Sequence, residues 1–281
     1  MNEKIVAIDL GNYNTKFKGD KMGFFSSKYH TKFEMNPEAY KRIEYNNQIT
    51  YIGVGELERE YDKTSKNVIP QVLYAISEST TEKSINLCLL LPLSQLPKKD
   101  IMIEKFKGKC FSFKVNGEEK KIRINECAIL PEGQVSYYSI PTPSPFQLMI
   151  DIGSKTINWV AYIDGTLFKN GTEKLGTYDL YDIIMKIENA KGNDYIQEDI
   201  EAQIKRGRIK VSDDVYKTFL KDILNRIKAT INIKNHDPIF TGGGAKLLEE
   251  IISQIPKVEI HKDPVFSNII GAENVCKRMW K

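Results

Sequence analysis

The sequence predicts an α/β protein built of two related lobes. Three observations carry that reading: one strand–turn phrase occurs near the start of each half, each half opens with strands and continues with helices, and a proline-dense joint lies between them. The first copy, Ile5 to Lys16, reads IVAIDLGNYNTK; the second, Gln147 to Asn158, reads QLMIDIGSKTIN. Their aspartates, Asp9 and Asp151, are 142 residues apart, close to half of the 281-residue chain. Each copy is an apolar strand that ends in Asp-x-Gly, bends tightly and returns as a second strand.

In the first half, residues 4–9 and 13–18 form a hairpin around Gly11, and 22–27 and 48–53 are further extended segments. Val68 to Ser77 has helical periodicity. Ile85 to Leu91 is a continuous apolar run bounded by Pro92, suited to a strand covered on both faces. Strands from Phe106 to Asn116 and from Lys120 to Asn125 flank the hairpin turn Asn116-Gly117. After Leu130-Pro131-Glu132-Gly133 a short helix runs to about Ser139. Pro141-Thr142-Pro143-Ser144-Pro145 cannot lie inside an element, so the lobe boundary falls there. The second half restarts with strands at 146–151, 157–163 and 166–171, with Asp164-Gly165 as a tight turn. Helices follow at about 177–190, 196–206 and 213–231, then a strand at 237–240, Gly242-Gly243-Gly244 and a helix from Ala245 to about Ile255. The last helix, Asn268 to Trp280, returns to the first lobe.

The bulk numbers exclude more than they assert. A net charge of +4, from 41 basic and 37 acidic residues, is too mild to argue for nucleic-acid or membrane binding. The densest basic stretch, Lys205-Arg206-Gly207-Arg208, is a solvated helix end or a phosphate or ribose contact. Cys88, Cys110, Cys127 and Cys276 show no metal or redox spacing, which suits reduced thiols in the cytosol. The three histidines are isolated, so a His-based metal site or hydrolytic triad has no support. Met1-Asn2-Glu3-Lys4 leads straight into a strand rather than a signal peptide, and the longest apolar run is seven residues. The expectation is a cytoplasmic protein.

Gly11 lets the backbone bend and approach a ligand, and the N–H groups of such a turn form an anion-binding nest. Asn12 and Asn14 add small polar groups, and Lys16 on the returning strand can reach back to a phosphate. Asp9 at the strand end can hold Mg²⁺ through water. Read alone, this is also an ordinary hairpin; the second copy argues against that, with Asp151 for the metal and Gly153, Ser154 and Thr156 for the phosphates. Gly242, Gly243 and Gly244 remove side-chain bulk where a flat base or ribose can lie. Glu132 can polarise a water for attack on a terminal phosphate, or is an acid favoured in a first helical turn; Gln134 can serve the same role. No Gly-x-x-x-x-Gly-Lys-Ser/Thr occurs, and no Gly-x-Gly-x-x-Gly follows a strand.

Phosphate turn, helix-borne acid, second phosphate turn, triple glycine: this order resembles the actin, heat-shock chaperone and sugar-kinase superfamily, over nearly the whole chain. DLGNYNTK and PEGQVSYY are most similar to bacterial actin-like ATPases of the ParM type, which segregate low-copy plasmids. The resemblance implies duplicated ribonuclease-H-like domains: lobe I at 1–140, completed by 266–281, and lobe II at 141–265 with a trimmed small subdomain between Gly176 and Ile239. It places Asp9, Gly11, Asn12 and Lys16 in the first phosphate motif, alongside Tyr13 and Asn14. Asp151, Gly153, Ser154 and Thr156 fill the second, Glu132 is the hydrolytic acid, and Gly242 to Gly244 form the adenosine motif. Glu201 and Lys205 are the candidates for base and ribose, and Gly271 and Ala272 mark a second interlobe connection. Tyr13, bulkier than residues usual there, packs internally or meets a neighbouring subunit.

The implied function is a filament-forming ATPase that uses Mg-ATP or Mg-GTP, polymerises head to tail and moves plasmid DNA through a DNA-bound adaptor of the ParR type. No direct nucleic-acid or membrane contact is expected. The alternatives are a small-molecule, sugar-type kinase and a non-polymerising ATP-binding module of the same superfamily. No sugar-kinase signature appears, and no peptide-binding domain of the chaperone kind is expected.

Overall fold

The computed structural model describes residues 3–57, 60 and 62–281, so Met1 and Asn2 of the leader reading lie outside the described residues. The chain divides into two compact units, Met1–Ile140 with Asn268–Lys281, and Pro141–Ser267.

The first unit is built on β1 (Lys4–Leu10), β2 (Asn14–Lys18), β3 (Met22–Ser26), β4 (Tyr29–His30), β5 (Arg42–Tyr45), β6 (Gln48–Ile52), β7 (Ser84–Leu91), β8 (Cys110–Val115) and β9 (Glu118–Pro131). Among the described residues these form one sheet, ordered β3-β2-β1-β7-β9-β8-β5-β6-β4. β7 lies between β1 and β9 and parallel to both, and all of it past Ser84 is buried, as its unbroken apolar run requires. One face packs on α1 (Ile69–Ser79) and α2 (Lys99–Phe106): Val6, Ile8, Leu87, Leu89 and Leu91 meet Leu73, Ile76, Met102 and Phe106. The helix α8 (Ser267–Met279) is tied to β2 by Lys18–Glu273 at 3.6 Å, and its Cys276 sulfur is hydrogen-bonded to Cys88. That contact first, and burial after it, push the Cys88 thiol well above its ordinary range, so the cysteine behaves as a small core residue. At Gly271 of α8 the Val135 carbonyl occupies the place of a side chain, so the glycine permits close packing on Gln134–Ser139.

The second unit holds β10 (Gln147–Ile152), β11 (Ile157–Ile163), β12 (Thr166–Glu173), β13 (Asp237–Thr241) and β14 (Glu259–Ile260), ordered β12-β11-β10-β13-β14. Around them lie α3 (Thr177–Asn189), α4 (Gln197–Lys205), α5 (Asp213–Lys228), α6 (Gly242–Leu247) and α7 (Glu249–Ile252). α5 buries Phe219, Leu220, Ile223 and Ile227, a helical stripe that joins Leu148, Ile150 and Phe240 in the core.

The two sheets repeat one plan. β10, β11, β12, β13 and β14 stand where β1, β2, β3, β7 and β9 stand, with the same antiparallel and parallel pairings. The first unit then continues through β8, β5, β6 and β4. Asn116-Gly117 and Asp164-Gly165 both have two successive positive φ angles (50° and 88°, 48° and 76°), the requirement of a two-residue hairpin turn matched to strand twist.

Several expectations need correction. Phe106 ends α2 rather than opening a strand, because Gly108, at φ 74°, stops the helix before β8 starts at Cys110. β9 runs on past Asn125 to Pro131, since its partner β7 continues to Leu91. Helix formation begins at Gly242 rather than Ala245, and the expected helix to Ile255 breaks at Leu248.

Candidate functional site

The first Asp-x-Gly turn joins β1 to β2, and its geometry follows from the register Asp9↔Lys16. Cross-strand neighbours on one face lie within side-chain reach, and the Lys16 ammonium donates to Asp9 Oδ2 at 3.1 Å. A Cβ on Gly11 would stand 2.5 Å from the Asn14 carbonyl, so the bend admits only glycine. Ser27, just past β3, closes the turn by donating its hydroxyl to the Gly11 carbonyl at 2.6 Å, while its N–H donates to the Tyr13 carbonyl at 2.9 Å. Tyr13 is half-buried. Beside the turn, Gly11, Asn12, Lys63 and Gln71 help line a cavity of about 20 Å³, room for a water molecule.

Glu132 follows β9 directly: its N–H donates to the Leu91 carbonyl at 2.9 Å. The helix behind it is a 3₁₀ turn, Gln134–Ser139, so Glu132 precedes the helix rather than starting it. Gly133, at φ 74°, makes the reversal and donates its N–H to Asn268 Oδ1 at 3.1 Å. The Glu132 carboxylate is ion-paired with the Lys63 ammonium, which also lies 3.9 Å from Asp9 Oδ1. Two acids and two amines therefore share one largely buried cluster, with Lys63 only 5% and Asp9 6% exposed at the side chain. Burial pushes the Asp9 carboxyl up, but Lys16 and Lys63 outweigh it and hold the group below its ordinary value. At Glu132 burial wins: with the Asp9 charge adding to it, it pushes the carboxyl up to about 7 despite the Lys63 ammonium.

The second turn joins β10 to β11. Gly153 donates its N–H to the Thr156 carbonyl at 2.9 Å, and a Cβ there would stand 2.8 Å from that oxygen. The Gly153 and Ser154 carbonyls accept the N–H groups of Thr177 and Tyr178, which anchors the start of α3 to the turn. Asp151 is buried at the end of β10 and is paired in register with Asn158.

Two glycines of the triple are required by packing within their own unit. Side chains on Gly242 and Gly244 would overlap Asp151, Ile152 or both, and Gly242 has φ 87°. These two glycines let α6 lie against β10; Gly243 alone has nothing within 4 Å of an added Cβ and faces open space. Glu201 and Lys205 form an i,i+4 ion pair at 2.5 Å on α4, with Lys205 72% exposed. Arg206 and Arg208 are exposed past the helix end, as a solvated terminus requires.

The donor set fits a hydrated metal and a phosphate chain. Within each unit one buried aspartate stands at the end of the strand that opens the turn, the kind of oxygen donor a hydrated Mg²⁺ takes, and no group of three or more His, Cys, Asp or Glu converges among the described residues. Lys63 escaped the sequence reading, because it sits in an undistinguished charged loop and its burial is a tertiary fact.

Residues 7–134 match the family model described as the N-terminal domain of actin-like proteins. The fold is actin-like. It superimposes on an apo ParM protein at TM-score 0.74 and 18% identity, covering 99% of this chain and 98% of that one. An archaeal actin homologue in complex with ADP gives 0.80 at 16% identity, with 98% and 99% covered. A 15-stranded ParM filament from Clostridium botulinum gives 0.77 at 19%, with 99% and 100% covered. No curated protein matches the sequence. Among the described residues, no helix is long and apolar enough to cross a membrane.

Proposed function

We propose that this actin-like protein binds and hydrolyses a magnesium nucleotide, ATP or GTP, and forms head-to-tail filaments that segregate plasmid DNA through a DNA-bound adaptor of the ParR type. The observation that carries this reading is the pair of Asp-x-Gly hairpins on equivalent strands of two like sheets, one of them beside a buried acid. The metal, when bound, screens the charge of the phosphates and leaving group. Asp9 and Asp151 would hold it. The N–H groups after Gly11 and Gly153, with Lys16, Ser154 and Thr156, hold the phosphates, and Asn12, Tyr13 and Asn14 shape the first turn. Glu132 takes a proton from the attacking water, with Gln134 two residues further on orienting it. Gly243 leaves open backbone for the nucleoside, and Glu201 and Lys205 contact base or ribose.

The filament follows from a heterologous interface that does not close. Support comes from filament structures among the similar folds, including the ParM filament and an AlfA filament from a B. subtilis plasmid at TM-score 0.65 and 21% identity. Ultracentrifugation at several protein concentrations, with Mg-ATP, Mg-GTP, Mg-ADP or no nucleotide, tests the proposal. Pelleting above a threshold concentration with a triphosphate is the expected result. Phosphate release without pelleting at any concentration overturns the filament, and absence of nucleotide binding overturns the whole reading.

A further inference from the structure

We propose that Lys63 is a positioning residue for Glu132, holding its carboxylate in place for water activation; this deepens, and rests on, the hydrolytic reading above. The Lys63 ammonium donates to Glu132 Oε1, so Oε2 is the oxygen left to accept a water proton. Its side chain is 5% exposed, whereas lysines are rarely buried without a fixed partner.

The loop that delivers it is built for the purpose. Lys63 donates its own N–H to Gln95 Oε1 at 2.9 Å, and Gln95 is itself buried. Asp62 accepts from the Thr64 N–H at 2.9 Å and hydroxyl at 2.6 Å, a local turn that braces the backbone on the other side of Lys63. The Lys105 ammonium donates to the Thr64 and Lys66 carbonyls at 2.7 and 3.0 Å. Lys98 pairs with Asp62 at 2.5 Å. Every one of these distant anchors comes from the stretch 93–106, so a short helical segment and α2 fix the backbone from which Lys63 reaches the acid. The arrangement has a chemical consequence. Without Lys63, Glu132 faces burial and the Asp9 charge with its ion-pair partner gone, so it either protonates or swings toward solvent; both forms are poor bases.

The test uses the whole protein as wild type, Lys63→Met, Glu132→Gln, the double variant and Lys63→Arg. In nucleotide-free melts, Lys63→Met lowers the Tm by about 5 °C, and adding Glu132→Gln restores most of it, because the carboxyl left without its partner is gone. With Mg-ATP at one fixed protein concentration, Lys63→Met lowers kcat about 100-fold, KM and the Mg-ADP dissociation constant change less than about threefold, and Lys63→Arg recovers part of the rate. Two results overturn the proposal: full kcat in Lys63→Met when the wild type turns over, or Tm losses that simply add in the double variant. A wild type that binds nucleotide but releases no phosphate overturns the hydrolytic reading instead, and the melting cycle then judges the Lys63–Glu132 pairing by itself.

Discussion

The two Asp-x-Gly turns share their backbone and differ in their charge. In each, glycine stands three residues before a carbonyl that a Cβ would strike, Asn14 in one and Thr156 in the other. In each, the aspartate ends a buried strand that pairs antiparallel with the returning one. Seven residues after the aspartate, however, the first turn has Lys16 and the second has Asn158, whose Oδ1 accepts the Thr172 hydroxyl at 2.7 Å. Beside the first turn, Lys63 pairs with Glu132 and lies 3.9 Å from Asp9. Backbone curvature is thus common to both turns, and the buried Asp9, Lys16, Lys63 and Glu132 cluster lies at the first. A bend is specified locally, by glycine and register, whereas a buried charge cluster needs partners from distant segments to offset desolvation.

The comparison breaks most sharply at Glu132. Glu132→Gln is expected to lower phosphate release by about 100-fold or more while Mg-ADP binding persists, as measured by coupled assay and titration. Equal loss of both would mean that Glu132 serves binding and that the two turns differ less than proposed. The same residue sets a pH dependence. A carboxyl raised to about 7 must lose its proton to act as a base, so kcat/KM rises about tenfold per pH step below 7 and levels above it. Stability runs the opposite way. The folded chain holds this proton more tightly than the unfolded one, so the Glu132 contribution is fully present below about pH 4.5 and is lost as pH rises through about 7. Melts of Glu132→Gln should lack that component.

Next in size, Gly242→Ala should cost about 3 kcal/mol in a denaturant melt, through its positive φ and its overlap with Asp151, whereas Gly243→Ala should be nearly neutral to stability. If Gly243→Ala weakens nucleotide binding without destabilising the fold, the open backbone is a ligand face. Lys16→Met is expected to weaken Mg-ATP binding about tenfold, and Asn158→Ala about twofold or less; equal effects would erase the asymmetry between the turns. Smallest of all, breaking the exposed Glu201–Lys205 pair should change stability by less than about 0.5 kcal/mol, so any larger loss of nucleotide affinity reports a ligand contact.

Legibility in the sequence followed the range of the interactions. The strands β1, β7, β10 and β11 were readable because each is an apolar run with its own turn signals, and Asn116-Gly117 named its hairpin outright. α2 was missed because its eight residues bury only Met102 and Phe106, too weak a stripe to announce a helix. β5 and β14 are short strands of four and two residues, fixed by pairing with β6, β8 and β13 rather than by their own composition. The triple glycine was visible, but its cause was not: two of the three glycines yield space to β10, a neighbour in the sheet and not in the chain.

By itself the sequence determined the two halves, their matching bends, the aspartates at the strand ends and the acid after Pro131, because each is written in a few adjacent residues. Only the tertiary structure decided that Lys63 belongs with Asp9 and Glu132. That pairing brings together residues 9, 63 and 132 through a sheet, a braced loop and a strand end, and no local propensity encodes it. Charges buried at long sequence separation are placed by packing, and packing is a property of the whole fold.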